Sequence, residues 1–254
     1  MRSIVVSVLV FLVIVGLDGC FTAPNYPVVP EISFVKIGYE KPSDDLPAIV
    51  LDITFKDGDG DLGLDDSFQT DTSFVLQYYL TRQNQFISDF TLKRFPSVTL
   101  VDADYVKNNP NVRLPNGSPF PSLNCSNWEQ RKVADVVKDI VYTEYNPNYY
   151  NIFIDLFIDD GTGTFNRFNS ETFFTFPDCL LSGFNGRFPV LSTDPGKKAP
   201  LDGNLNYRMK SIGYDVILGV KRFKMDITIQ DRAYHKSNKL SIGPYTLSSI
   251  RRDG

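Results

Sequence analysis

The feature that most constrains this chain is an alternation of apolar and polar residues in separate segments. The apolar positions of the segment 49–56 are Ile49, Leu51, Ile53 and Phe55. The segment 223–230 repeats the pattern with Phe223, Met225, Ile227 and Ile229. Successive side chains of a β-strand point to opposite faces, so this period of two predicts strands with one buried face.

Further segments extend the strand pattern. Residues 74–80, 151–158 and 240–242 alternate in the same way or are rich in β-branched and aromatic residues. The segment 133–143 also fits a helical spacing, but its β-branched run 136–143 favours a strand. Many short strands separated by Gly, Pro and Asn turns predict an all-β protein. The architecture we expect is an immunoglobulin-like antiparallel β-sandwich.

Composition narrows the function classes. The chain has 254 residues, and 42% of them are apolar, which is enough for a substantial core. Its formal net charge of −4 does not suit nucleic acid, which requires a basic face. We therefore expect no nucleic-acid partner.

The first twenty residues are organised like a secretory signal. Met1-Arg2 precedes an almost wholly apolar run over 4–15, and Leu17-Asp18-Gly19-Cys20 follows. This last stretch resembles the lipobox of bacterial lipoproteins, which implies cleavage before Cys20 and acylation of its sulfur. Two alternatives stay open. One is a transmembrane helix, which needs about 20 apolar residues, and the other is a signal peptide removed without lipidation.

These features divide the chain into three parts. Residues 1–19 are predicted to be a lipoprotein signal peptide, 20–30 a lipidated proline-rich tether, and 31–254 a β-sandwich domain. A long decorated insertion is expected around 81–130, where short apolar pieces alternate with turn residues. By comparison with bacterial lipoproteins, the residues after Cys20 favour anchoring to the outer membrane of the cell envelope, facing the periplasm.

Two cysteines remain when Cys20 is assigned to the lipid. An exported chain folds where disulfides are permitted, and an even remainder favours one bridge between Cys125 and Cys179. The bridge would close a loop of 55 residues, counted from 125 to 179 inclusive. The alternative is a pair of buried free thiols.

The sharpest internal motif is Phe55-Lys-Asp-Gly-Asp-Gly-Asp-Leu-Gly63. Asp57, Asp59 and Asp61 occupy alternate positions of a glycine-containing loop, where carboxylates can converge on one hard cation such as calcium. Calcium is the only cofactor that the sequence predicts. The alternative is a solvated Asp-Gly hairpin turn.

The motif departs from an EF-hand. Leu62 stands where that loop has glycine, and Phe68 stands where it has a bidentate glutamate. A calcium site here would need ligands from elsewhere, and Asp159, Asp160 and Asp231 are the acids considered.

A second motif, Ile229-Gln-Asp-Arg-Ala-Tyr-His-Lys-Ser-Asn238, is expected to be a polar turn between the last two strands. Asp231 and Asn238 are predicted to fix it by side-chain-to-backbone hydrogen bonds. Together with the lipobox and the Asp-Gly loop, this turn resembles a family of uncharacterised Bacteroidota envelope lipoproteins. The resemblance implies an immunoglobulin-like sandwich and an envelope location, and it implies no reaction.

No residue set in the sequence indicates catalysis. His235 is the single histidine, so a His-rich zinc site is excluded, and neither a Gly-x-Ser-x-Gly elbow nor a dinucleotide fingerprint is present. We expect a protein that is not an enzyme, and we assign no catalytic residues (catalytic: none). The leading hypothesis is a binding or accessory subunit of an envelope complex, with its protein interface in 81–150.

Two other hypotheses stay open. The first is a glycan-binding module in which tyrosines stack on sugar rings, and the crowded candidates are Tyr142, Tyr145, Tyr149 and Tyr150. The second is a hydrolase that uses paired aspartates.

Overall fold

The computed structural model describes residues 24–64, 72–169, 176, 184–192, 194, 197–211 and 213–252. The strands are β1 (Glu31–Glu40), β2 (Ala48–Asp57), β3 (Gln77–Leu80), β4 (Phe86–Ser88), β5 (Trp128–Val133), β6 (Val136–Tyr145), β7 (Ile152–Asp159), β8 (Phe165–Arg167), β9 (Leu201–Lys210), β10 (Phe223–Ile229) and β11 (Leu240–Tyr245). The helices are α1 (Asp89–Arg94), α2 (Ala103–Asn108) and α3 (Tyr214–Ile217), with 3₁₀ turns at Thr72–Phe74 and Ser248–Ile250.

Two antiparallel sheets enclose the main core. Their strand orders are β1-β2-β9 and β11-β10-β7-β8. Both contribute apolar side chains to one continuous cluster, which includes Ile49, Leu51, Ile53, Ile152, Ile154, Leu156, Phe223, Met225, Ile227 and Ile229. The prediction of an all-β protein with antiparallel sheets is confirmed, and the immunoglobulin-like assignment stays a prediction.

The period-two segments become the central strands of these sheets. Ile49, Leu51 and Ile53 of β2 are fully buried, and so are the four apolar positions predicted for β10. Each such side chain contributes about 1.5–3 kcal/mol on burial. Burial on one face therefore explains why both segments form strands, while the opposite face of β10 carries the half-buried Lys224, Asp226 and Thr228.

A third sheet, with the order β4-β3-β6-β5, lies between β2 and β7 in the chain. It has two small cores on its two faces, one around Leu80, Trp128 and Tyr142 and the other around Tyr79 and Val141. The segment around 81–130 that was predicted as an insertion supplies β4, the start of β5, and the helices α1 and α2. The strand predicted for 74–80 is shorter, because Phe74 ends a 3₁₀ turn and the strand begins at Gln77.

The ambiguous segment 133–143 is a strand over most of its length. Val136–Tyr145 form β6, and Val133 ends β5. Between them, Ala134 and Asp135 have positive φ angles of 49° and 63°. Two consecutive residues of this kind form the tight turn that matches the twist of a β-hairpin. The strand interpretation is therefore confirmed for 136–143, with a turn just before it.

One end of the two-sheet sandwich, called here the loop end, gathers distant parts of the chain. Glu31 pairs with Lys56, Asp57 pairs with Leu201, and Ile152 pairs with Ile229. Thus β1, β7 and β9 begin where β2 and β10 end. The tether residues 24–30 and the turn after β10 meet at the same end.

No helix in the described ranges is long and apolar enough to cross a membrane. The predicted signal peptide and Cys20 lie outside the residues that the structure describes.

Candidate metal centre

The three aspartates of the Asp-Gly motif converge at the loop end. Asp57 is the last residue of β2 and is fully buried. The chain then turns through Gly58 and Gly60, which brings Asp59 and Asp61 back beside it. One carboxylate oxygen from each of the three residues lies within 4.8 Å of the other two. The structure therefore brings together the cluster that the sequence predicts.

Each of the three carboxylates keeps one oxygen without a hydrogen-bond partner. The oxygens are Oδ1 of Asp57, Oδ1 of Asp59 and Oδ1 of Asp61, and all three are buried. The second oxygen of Asp57 accepts a hydrogen bond from the backbone N–H of Asp61 at 2.9 Å. The second oxygen of Asp59 lies 3.2 Å from Nζ of Lys198. Buried carboxylate oxygens without partners are costly, and a bound cation removes that cost.

The electrostatics of the cluster favour an added positive charge. Burial, followed by the charges of Asp61 and Asp59, raises the pKa of Asp57 to about 6. Burial, followed by the charges of Asp231 and Asp59, raises the pKa of Asp61 to about 6. Repulsion among the ionised carboxylates therefore adds to the penalty of burial when no cation lies between them.

The two glycines of the loop are required by close backbone contacts. A side chain at Gly58 would collide with the carbonyl oxygens of Tyr26 and Pro27 in the tether. Gly60 has a φ of 71°, and a side chain there would collide with the carbonyl oxygen of Ala199. The spacing of the three aspartates is therefore fixed by a loop that only glycine allows to pack so closely.

Leu62 explains the departure from the EF-hand pattern. It is fully buried and belongs to the main core of the sandwich. It also forms a β-bridge with Asp231 in the turn after β10. A glycine at this position would leave a hole in the core, so the loop is built for a β-sandwich rather than for a pair of helices.

The other acids considered as ligands lie elsewhere or are already engaged. Asp159 ends β7, seven residues from Ile152, which is about 23 Å along a strand, and Asp160 follows it. Asp159 accepts hydrogen bonds from Gly161 and Gly163 and pairs with Arg222. Neither acid therefore completes the cluster.

Asp231 does lie beside the cluster, but both of its oxygens serve the turn. Oδ1 accepts a hydrogen bond from the backbone N–H of His235, and Oδ2 lies 2.8 Å from the His235 ring nitrogen Nδ1. The hydrogen bond to Asp231 is the main cause that raises the pKa of His235. The predicted role of Asp231 in fixing the turn is confirmed, and His235 is its partner.

The sequence did not indicate two basic residues that border the cluster. Lys198 lies before β9 and pairs with Asp59, and the backbone N–H of Arg232 donates to the carbonyl oxygen of Asp61 at 3.3 Å. Both residues counteract the raised pKa of Asp61. They are distant in sequence from the loop, so no local pattern could have identified them.

The four crowded tyrosines do not form one open face. Tyr142 is buried and packs edge-on against Trp128, with ring centroids 5.5 Å apart. Tyr149 and Tyr150 pack edge-on against each other, and the Arg187 guanidinium lies 4.7 Å from the Tyr149 ring centroid. Much of this aromatic surface is thus already used within the protein.

Only one of the two cysteines of the predicted disulfide, Cys125, lies in the described part of the chain. Cys20 and Cys179 lie outside the described residues, so the pairing of Cys125 with Cys179 stays a prediction.

Comparison of the chain with protein-family models, curated proteins and solved structures gives no match. The function must therefore be argued from the geometry of the site itself.

Proposed function

We propose that this protein is a calcium-binding β-sandwich module of the bacterial cell envelope. The observation that carries the proposal is the set of three buried carboxylate oxygens without hydrogen-bond partners, one from each of Asp57, Asp59 and Asp61. Asp57 is itself fully buried with one oxygen directed into the cluster, which an ordinary solvated turn does not require. A cation would give these oxygens the partner that the protein does not supply.

The donor set favours calcium over other metals. Within the described residues the cluster consists of aspartates alone, with no histidine or cysteine. Carboxylates suit hard cations, whereas zinc and copper sites draw on imidazole and thiolate. Calcium also accepts irregular coordination that backbone carbonyls and water complete, while magnesium demands near-ideal octahedral geometry. Because the Asp59 side chain is only 13% exposed, the closed site suits a structural ion better than a substrate.

Thermal unfolding of the purified chain tests the proposal. At a calcium concentration about 100-fold above the dissociation constant, binding stabilises the fold by about 2.7 kcal/mol, which is about 5–11 °C in Tm for a domain of this size. Asp57→Asn, Asp59→Asn and Asp61→Asn should each remove most of this shift. In chelator, each should melt at or above the unsubstituted chain, because one repelling charge has been removed.

Asp44→Asn is the matched control, since Asp44 is exposed between β1 and β2, away from the loop end. It should keep the full calcium shift. A melting temperature that is the same in calcium and in chelator would contradict the proposal. A larger shift with magnesium than with calcium would contradict the choice of ion.

We also propose that the sandwich is immunoglobulin-like. In order along the chain, the two main sheets take strands one, two and five (β1, β2, β9) and strands three, four, six and seven (β7, β8, β10, β11). The constant-type immunoglobulin domain divides seven strands in the same way except for the fourth, which joins the first sheet there. In this comparison the third sheet is an insertion between the second and third strands.

The lipid anchor at Cys20 and the outer-membrane location are part of the same proposal. Their support is the lipobox resemblance together with the tether, which reaches the sandwich at residues 24–30. Intact-mass measurement of the membrane fraction tests the anchor. A mature chain that begins at Cys20 and carries acyl mass supports it, and a chain without that mass contradicts it.

A role as an accessory subunit is favoured by the tip of one hairpin of the third sheet. Val133, Val136 and Val137, at the tip of the β5–β6 hairpin, are 63%, 69% and 42% exposed. Exposed apolar side chains grouped in this way are typical of a protein interface. Crosslinking in native envelopes should give a defined adduct that disappears when all three valines are replaced by serine. An adduct that survives the triple replacement would contradict this role for the hairpin.

A further inference from the structure

The Asp-Gly loop is bonded directly to the N-terminal tether. The backbone N–H of Gly58, which lies between Asp57 and Asp59, donates to the carbonyl oxygen of Pro27 at 2.7 Å. There is no space for a side chain at Gly58, because the tether backbone fills it. The direction of this N–H is therefore set by the same loop conformation that places the two carboxylates.

Tyr26 holds the tether against the strands that flank the loop. The Lys56 ammonium lies 5.5 Å from the centroid of its ring, within cation–π range. Partial burial and the hydrogen-bonded carboxylate of Asp202 raise the pKa of Tyr26. Lys56 and Asp202 are opposite each other on β2 and β9. The tether is thus fastened across the ends of both strands, next to the cluster.

The other side of the loop is fastened to the turn after β10. The backbone N–H of Arg232 donates to the carbonyl oxygen of Asp61, and its guanidinium donates to the carbonyl oxygen of Gly63 at 3.1 Å. The loop that carries the three carboxylates therefore joins the tether on one side and the second sheet on the other. Repulsion among the carboxylates opposes the loop conformation that makes these two sets of contacts, and a cation relieves the repulsion.

We infer that calcium binding at Asp57, Asp59 and Asp61 fixes the N-terminal tether to the sandwich, so that calcium controls whether the domain is held rigidly or loosely on its anchor. This inference rests on the proposed calcium site. Its thermodynamic consequence is reciprocal: if calcium favours the docked tether, the docked tether raises calcium affinity by the same factor.

Mobility of the tether is the direct test. Asn25 is exposed and directly precedes Tyr26 in the tether. In the lipidated chain, the cysteine introduced by Asn25→Cys is therefore labelled with a nitroxide. The label should be immobilised in calcium, and its rotational correlation time should shorten at least about 3-fold in chelator. With Asp57→Asn added, the label should be mobile in both conditions. If that variant does not fold, Asp59→Asn replaces it.

A label at Asp44→Cys is the control, because this exposed site lies outside the loop end and should not respond to calcium. If calorimetry shows calcium binding while the Asn25→Cys label keeps the same mobility, the coupling is overturned and the calcium site stands. If calcium does not bind, the site and the coupling both fail, so the two failures are distinguishable.

Calcium affinity of tether variants gives the reciprocal test. Tyr26→Ala removes the ring and the hydroxyl that hold the tether, without touching a carboxylate of the cluster. It should weaken calcium binding by about 5-fold or more, the lower end of typical coupling. Tyr26→Phe keeps the ring beside Lys56 and should lose less. Equal affinity in Tyr26→Ala and the unsubstituted chain would overturn the inference.

Discussion

The side chain of Asn238 brackets the backbone of Ile32. Its Oδ1 accepts a hydrogen bond from the Ile32 N–H at 2.8 Å, and its Nδ2 donates to the Ile32 carbonyl oxygen at 2.9 Å. Asparagine is suited to this role because one side chain carries both a donor and an acceptor. The turn after β10 is thereby tied to the start of β1, which is the point where the tether enters the sandwich.

Replacing Asn238 should destabilise the fold measurably. Asn238→Ala loses two hydrogen bonds and leaves backbone groups of Ile32 without partners, at a cost of about 2 kcal/mol. Asn238→Asp keeps only the acceptor and should also lose stability. Denaturant unfolding measures both changes. Asn108→Ala, at an exposed position of α2, is the control. A loss of stability in Asn238→Ala no larger than that of the control would contradict the stabilising role of the two hydrogen bonds to Ile32.

Leu62 gives a prediction that separates this loop from an EF-hand. Leu62→Gly makes the sequence more like an EF-hand, yet it removes a fully buried side chain from the core. Large-to-small changes of this kind cost about 2–5 kcal/mol, and glycine adds backbone entropy to that cost. We expect lower stability and weaker calcium binding, measured by unfolding and calorimetry. Unchanged or tighter binding would show that the loop does not depend on its attachment to the core.

The predictable part of the fold is the part with local periodicity. β2 and β10 bury every second residue against one core, so their alternation is visible in the sequence. The helices α1 and α2 were missed because each has only six residues, too few for an apolar repeat. Their local signals include the N-caps Ser88 and Asp102, whose side chains accept hydrogen bonds from the backbone N–H groups of Thr91 and Tyr105.

The candidate site was predictable to a similar extent. Asp57, Asp59 and Asp61 lie on alternate residues of one short glycine-containing loop, so their proximity is visible in the sequence. The contacts of Pro27, Lys198 and Arg232 with this loop come from segments far away in the chain. Such contacts depend on strand order and register, which a single sequence does not encode locally.

The disulfide prediction has a direct stability consequence. A bridge between Cys125 and Cys179 would close a 55-residue loop in the unfolded chain. In the chain-entropy model, this restriction raises the free energy of unfolding by about 4 kcal/mol. Cys125→Ser should therefore lower Tm by about 8–16 °C. Peptide mapping without reductant should yield one peptide pair that contains both residues. Two free thiols per chain, titrated in denaturant without reductant, would contradict the pairing.

The pH dependence of calcium binding follows from the raised pKa values of Asp57 and Asp61. Both carboxyls have a folded-state pKa of about 6, above the ordinary value of 3.8. A group whose pKa is raised on folding favours the folded state at low pH, and this contribution is lost as pH rises from about 4 through 6. In chelator the cluster therefore destabilises the fold progressively over that range.

Calcium requires the ionised carboxylates, so its stabilising effect should run in the opposite direction. The difference in Tm between calcium and chelator should be small at pH 5 and should increase through pH 6 to pH 7. Taking this difference at each pH largely removes contributions that both conditions share. The pKa of His235 is raised mainly by Asp231 and only to a lesser extent by Asp61 and Asp59, so His235 contributes little to the difference. With Asp57→Asn and Asp61→Asn combined, the difference should stay near zero throughout. A difference that is constant from pH 5 to pH 7 in the unsubstituted chain would mean that these two carboxylates do not bind the ion.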